Sequence, residues 1–130
     1  MPTVCGMVRA MPFSVAIAHE QAHLLVTASG PASVPDILGL IDMTATIANM
    51  AGYRRVMIDM MRVEIGFAFT EHLQIGARAA EKLRGMERVA SIVDPRFRIG
   101  TSEKAAQKMG LQLRTFTSLD EGLQWLADGR

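Results

Sequence analysis

The densest group of residues able to do chemistry is Arg96-Phe97-Arg98-Ile99-Gly100-Thr101-Ser102-Glu103-Lys104. Two arginines precede a glycine, two hydroxyls and the start of a helical pattern. Free N–H groups at a helix N-terminus bind anions, and Arg offers a bidentate partner to phosphate or carboxylate. Arg96, Arg98, Gly100, Thr101 and Ser102 therefore form the candidate anion-binding set. The competing account is a capped helix whose arginines are solvated and balanced by Asp94 and Glu103, and phosphate loops ordinarily carry more glycine. A second polar group, Arg62, Glu64, Thr70, Glu71 and His72, follows the preceding strand. His72 beside Glu71 could be a general-base pair. Helical neighbours point about a quarter-turn apart and do not converge on one atom, so His72 reads as a polar residue at a helix start. His19 and His23 flank a hairpin turn, but two ligands are too few for a metal. Cys5 has no evident base nearby and reads as inert. No metal or cofactor is expected, and no nucleophile–base–orienter set is legible.

The elements that would position these groups follow from periodicity. Phe13, Val15 and Ile17 share one face of a strand over 13–18, and 22–28 supplies a second strand close enough to form a hairpin. Ser29-Gly30-Pro31-Ala32 reads as a loop. Ser33 caps a helix with Pro35 in its first turn and Asp36 three residues on; Ala51-Gly52 ends it. Arg55 to Met60 reads as a strand covered on both faces, followed by a turn over 61–67. The second helix spans 68–84 with a stripe of Phe69, Leu73, Gly76, Ala80 and Leu83, and Gly85 closes it. A strand over 88–93 stops at Asp94-Pro95. Thr101 or Ser102 caps a short helix ending at Met109-Gly110, and 111–116 is the last strand. Ser118-Leu119-Asp120-Glu121 is a capping box for the terminal helix. The order ββαβαβαβα implies a single α/β domain over 12–128. Its mixed five-stranded sheet has an antiparallel hairpin, then parallel βαβ units, with four helices. Residues 1–11 read as a loose leader.

Composition narrows the function classes. The chain has 130 residues, with 14 Lys plus Arg against 13 Asp plus Glu. A balanced charge gives no reason to seek nucleic acid or an anionic membrane. The most apolar stretch, 34–50, is too short and too polar to span a bilayer. No signal peptide is expected over 1–13, and a single cysteine fits a reducing compartment, so a cytoplasmic location is expected. Ten methionines stand against seven aromatic residues. Met57, Met60 and Met109 read as core. Ile37, Leu40, Ile41, Met43, Ile47 and Met50 spread round the first helix more widely than one sheet contact needs. They are the candidate for a homodimer face or an apolar pocket.

Several local patterns resemble the STAS-like domains, more closely the SpoIIAA-like proteins grouped near the CRAL-TRIO lipid-binding domains. The matching pieces are Val56-Met57-Ile58-Asp59, Arg88-Val89-Ala90-Ser91-Ile92-Val93 and the tail Phe116-Thr117-Ser118-Leu119-Asp120-Glu121-Gly122-Leu123-Gln124-Trp125-Leu126. The tail is similar to a closing F-x-S-x-x-E-A-x-x-W-L pattern, with Gly122 where Ala is usual. Signalling STAS domains carry a phosphorylatable Ser in a D-S-x-G turn. With Asp59 on the family's Asp, that turn falls on Phe67-Ala68-Phe69-Thr70, where Thr70 is the sole hydroxyl and reads as a helix cap. The resemblance implies a non-catalytic regulatory or interaction module without the phosphorylatable Ser, binding itself or another protein. The CRAL-TRIO kinship implies an alternative, a carrier or sensor of a lipid-like molecule under the first helix. The third reading is an enzyme using the rim at 96–104.

Overall fold

The computed structural model describes residues 12–128; the leader over 1–11, with Cys5, lies outside the described residues. Strands β1 (Ser14–His19) and β2 (Leu24–Pro31) pair antiparallel, with Ser14 opposite Ser29 and His19 opposite Leu24. β3 (Arg55–Glu64), β4 (Arg88–Val93) and β5 (Leu113–Phe116) then add in parallel, giving the order β1-β2-β3-β4-β5. The helices are α1 (Val34–Ala51), α2 (Phe69–Lys82), α3 (Thr101–Lys108) and α4 (Leu119–Ala127), with a 3-10 turn over Pro95–Phe97. The expected five-stranded mixed sheet with four helices is the observed one.

Each parallel crossover advances one strand in the same direction, so crossovers of one hand put their helices on one face. Ile37, Leu40 and Ile41 of α1, Ala79 and Ala80 of α2 and Ala106 of α3 share one core with Leu24, Val26, Val56, Ile58 and Val89. On the other face Leu126 of α4 packs with Met57, Ala90 and Ile92. Covered on both sides, β4 buries every residue from Val89 to Val93. Helix α4 is held at its C-terminus by cations, as the helix dipole favours. Arg55 Nη1 donates to the Asp128 carbonyl at 2.8 Å and Arg88 Nη1 to that of Trp125, while the Arg88 guanidinium lies 4.7 Å from the Trp125 ring centroid. Gly122 is where the tail departs from its pattern: a Cβ there would strike Ile92 Cδ1 and come within 3.2 Å of Met57 Cε.

Helix α1 starts as expected. The Ser33 hydroxyl accepts from Asp36 N at 3.2 Å, the Asp36 carboxylate accepts from Ser33 N at 2.9 Å, and Gly52 closes the helix at φ 78°. Three local expectations are corrected. Ser29, Gly30 and Pro31 are not a loop but the end of β2, paired with Arg62, Val63 and Glu64 after a register shift at Thr27/Ser29. There the Gly-Pro signal marks an irregular strand end. Gly30 has φ 99°, and a Cβ on it would stand 2.6 Å from the Pro12 carbonyl oxygen. β3 correspondingly runs on through part of the expected turn. Met109 is exposed at the C-cap of α3 rather than in the core.

The expected stripe on α2 is buried at Gly76, Ala80 and Leu83 but not at its N-terminal end. His72, Gly76, Ala79 and Ala80 are buried, whereas Phe69 and Leu73 are exposed. Gly76 sets this orientation: a Cβ on it would strike the Ser102 carbonyl oxygen and lie 2.7 Å from Ala105 Cβ, so α2 and α3 meet at backbone distance. Gly39, in the middle of α1, has nothing within 4 Å of a Cβ. Gly39→Ala should therefore raise stability by about 0.5–1 kcal/mol, and Gly76→Ala should lower it by about 1–3 kcal/mol. Urea unfolding of both variants measures the opposite signs.

Candidate functional site

In open α/β sheets ligands sit beyond the carboxyl ends of parallel strands. Here that end is enclosed by the first turns of α1, α2 and α3, because each helix begins where its preceding strand stops. Two adjoining cavities of about 60 Å3 each lie between them. The outer one is rimmed by Phe67, Phe97, Arg98, Ile99 and Gly100 and reaches His72. The inner one is bounded by Leu40, Ile41, Ile58, Ala79, Leu83 and Leu113. Ile37, Met60, Ile75, Ser91, Ser102 and Thr115 line both.

His72 is the residue whose burial the sequence did not give. It stands at the start of α2 as expected, but it is buried: it is 7 % exposed, and its Nε2 has no hydrogen-bond partner among the described residues. Its ring centroid stands 5.7 Å from that of Phe67, the planes tilted by 58°. Burial lowers the imidazole pKa from its ordinary value, against the opposing charge of Glu71. Ser91 was also missed as a site residue. The signal for it was a lone hydroxyl in the strand Val89-Ala90-Ser91-Ile92-Val93, where it is buried.

The five residues of the anion-binding set are divided. Arg98, Gly100 and Ser102 line the outer cavity; Arg96 and Thr101 do not. Arg96 folds back on Asp94, with Nε 3.1 Å from Oδ1 and Nη2 3.2 Å from Oδ2, and this pair holds the Asp94 carboxyl below its ordinary range. Arg98 donates to the Thr115 carbonyl at 3.2 Å and stands 3.7 Å from Glu103 Oε1, while Glu103 Oε2 accepts from Thr115 N at 2.9 Å. The cap of α3 is Gly100 at φ 88°, not Thr101 or Ser102. Both guanidinium groups thus already face carboxylates of their own chain.

The apolar set is divided too. Ile37, Leu40 and Ile41 are buried walls of the cavities, Met43 and Ile47 are half-buried against the core, and Met50 alone is open, at 83 % exposure. Thr70 is exposed but does not cap α2: Ala68 is the N-cap, and the Glu71 carboxylate accepts its N–H at 2.7 Å. His19 Nδ1 lies 3.2 Å from the Tyr53 hydroxyl, and His23 Nε2 is buried without a partner among the described residues. Among the described residues no three His, Cys, Asp or Glu side chains gather as metal ligands. No described helix is long and apolar enough to cross a membrane. What the sequence did not mark is the apolar edge beside the cavity mouth, where Phe69 is 65 % exposed, Leu73 39 % exposed, and Ile99 exposed as well.

The buried imidazole has a consequence for stability. A histidine whose folded pKa lies below its unfolded value near 6.5 makes the unfolded chain the better proton acceptor between the two values. His72 and His23, both lowered by burial, should therefore reduce stability as pH falls below about 6.5. Asp94 loses its contribution only further down, as pH falls through its lowered carboxyl pKa. Denaturation midpoints measured from pH 7.5 to 5 should fall less steeply for His72→Phe than for the wild type; equal slopes would show that His72 does not titrate between the folded and unfolded states.

No protein-family model matches the chain, and no curated protein matches it at a significant level. Solved structures do match. An anti-sigma factor antagonist from Mycobacterium paratuberculosis is 16 % identical with a TM-score of 0.61, over 92 % of this chain and 99 % of that one. A DUF3478 protein from Shewanella loihica PV-4, described as having a SpoIIAA-like fold, is 18 % identical with a TM-score of 0.55, over 91 % and 98 %. At such identities the likeness is one of fold, and the fold is the SpoIIAA-like one that the strand endings and closing helix of this sequence resemble.

Proposed function

We propose that this chain is a non-catalytic interaction module of the SpoIIAA-like fold, which docks another protein against the opening turns of α2. The observation that carries the reading is the pair Phe69 and Leu73. They are one helical turn apart, both open to solvent, on a domain whose other large apolar side chains mostly find a core. The structural neighbour described as an anti-sigma factor antagonist acts, by that description, on a protein target, which supports the same class of activity here. The turn that carries the phosphorylatable Ser in signalling STAS domains falls on Phe67-Ala68-Phe69-Thr70, where Thr70 is the sole hydroxyl and no Ser stands, so the docking proposed here needs no phosphate switch. The proposed location is the cytoplasm, in keeping with a single cysteine.

The other readings have less support. A long-chain lipid needs a pocket of roughly 300 Å3 or more, and the cavities are about 60 Å3 each. An enzyme using the rim at 96–104 would have to free Arg96 and Arg98 from Asp94 and Glu103. A homodimer face on α1 retains only Met50 as an open apolar anchor.

Phe69→Ser with Leu73→Ser tests the proposal. The double variant should unfold within about 1 kcal/mol of the wild type, because both side chains are exposed. A partner retained by immobilised wild type and by Met50→Ser should bind the double variant at least about tenfold more weakly. Equal retention by all three removes α2 as the docking face. Sedimentation of the purified chain separates a second copy from a different protein as the partner.

A further inference from the structure

We infer that β1 is a pairing edge, along which two copies of this chain join antiparallel about a two-fold axis at Ile17, so that one sheet runs through both. The Phe69–Leu73 face of α2 is a different surface, and neither reading depends on the other.

The sheet order leaves two edge strands, β1 and β5, and their open sides differ. At β5, Val89 N donates to the Gln112 carbonyl, so Gln112, Arg114 and Phe116 turn their backbone groups to β4. Leu113 and Thr115 turn theirs outward. Side chains on or just before α3 close that edge. Gln107 Nε2 donates to the Leu113 carbonyl at 2.8 Å, and the Leu113 N–H is met by the Leu111 carbonyl at 2.9 Å. Glu103 accepts the Thr115 N–H at 2.9 Å, and Arg98 donates to the Thr115 carbonyl at 3.2 Å. No outward group of Leu113 or Thr115 is left to template a further strand.

β1 has no such closure. Glu20 N donates to the His23 carbonyl at 3.0 Å, next to the opposed pair His19 and Leu24. Bonding alternates along an antiparallel pair, so Ser14, Ala16 and Ala18 bond to β2 while Val15, Ile17 and His19 turn their N–H and C=O groups outward. Among the described residues no hydrogen bond reaches these outward groups. Edge strands are ordinarily blunted by a charged side chain, a proline or a bulge. The run Ser14-Val15-Ala16-Ile17-Ala18-His19 carries no Lys, Arg, Asp, Glu or Pro, and it pairs with β2 without a register shift.

The edge is complementary to itself. The outward residues are spaced evenly about Ile17, so an antiparallel second copy sets Ile17 opposite Ile17 and Val15 opposite His19. Two hydrogen bonds at each of three positions give about six in all. On the other face Ala16 falls opposite Ala18, and Ser14 opposite Glu20, so no charge stands opposite a like charge. Under α1, Val15 and Ile17 pack at the margin of the core together with Met43 and Ile47. Arg78 of α2 holds Asp42 on one flank of α1. Helical spacing puts Met43 and Ile47 on the other flank, toward β1. Two copies of Ile17 would extend the cover of those half-buried side chains. A single patch that meets itself in this way is the form a two-fold interface takes.

Sedimentation of the full chain, joined with residue-resolved amide hydrogen exchange, tests the inference. Dimer should replace monomer as concentration rises, and exchange at Val15, Ile17 and His19 should slow with it. His19→Pro removes one outward donor from each copy and no bond to β2, and should weaken the dimer at least about tenfold. His19→Ala keeps that donor and should match the wild type. The exchange readout on the wild type decides the matter even if His19→Pro does not fold. Phe69→Ser with Leu73→Ser should leave the dimer intact, whatever becomes of docking at α2. A chain that stays monomeric up to about 1 mM overturns the proposal. So does a dimer that leaves the three amides in fast exchange, or equal dimerisation of the proline and alanine variants. Slow exchange already present in the monomer would assign the edge to residues 1–11 instead, and loss of the dimer in the α2 double variant would assign the contact to that face; either result overturns it too.

Discussion

The close approach of α2 to α3 at Gly76 governs the functional end of the molecule. With no Cβ at that position, α2 lies against the Ser102 carbonyl and Ala105. That contact fixes the rotation of α2 about its own axis. His72 and Ile75, one turn or less before Gly76, then face the ends of β3 and β4 instead of solvent. The same contact brings Ser102 from α3 to the wall that Ser91 and Thr115 share. An alanine at 76 would push the helices apart and open the wall. The bidentate contact of Arg78 with Asp42 ties α2 to α1 at 2.7 and 3.0 Å. Being partly exposed, it is worth at most about 1 kcal/mol, so packing at Gly76 and not the ion pair sets the geometry.

Much of the fold was legible because its signals are local. The capping box at Ser33, the left-handed Gly52, the unalternated apolar run of β4 and the Ser118 cap each depend on a few adjacent residues. Element order then follows, and so does a parallel sheet, since helix-length crossovers leave little alternative. The ends of β2 and β3 were not legible for the opposite reason. Gly30 and Pro31 are turn formers in isolation, but pairing with Val63 and Glu64 and the passage of Pro12 above Gly30 hold them in the sheet. That information resides in two segments distant in sequence, one before β1 and one at the end of β3.

The site was less legible, and α2 shows why. Phe69, Leu73, Gly76, Ala80 and Leu83 do lie on one helical face, so periodicity favours burying all five. Burial direction, however, is decided by where the backbone can come close, and Gly76, Ala79 and Ala80 mark that line with almost no hydrophobic signal. Phe69 and Leu73, at the N-terminal end of the stripe, are consequently left outside while Leu83 is buried, and a histidine is taken in. Of the rim at 96–104, Arg98, Gly100 and Ser102 line the outer cavity and Arg96 and Thr101 do not. The sequence offered anion binding and internal balance by Asp94 and Glu103 side by side, and in the structure Arg96 pairs with Asp94 and Arg98 with Glu103.

The neutralised rim and the buried imidazole belong together. Arg98, Glu103 and Thr115 form a closed set in which the carboxylate accepts the β5 N–H and the guanidinium donates to the carbonyl of the same residue. That set fixes α3 against β5 without leaving a net charge at the cavity mouth. A free cation there would invite anions and hold a water shell at the opening. Burial among apolar side chains favours the uncharged imidazole of His72. An unpaired buried nitrogen costs about 1–3 kcal/mol, and phenylalanine would keep the ring contact with Phe67 without that cost.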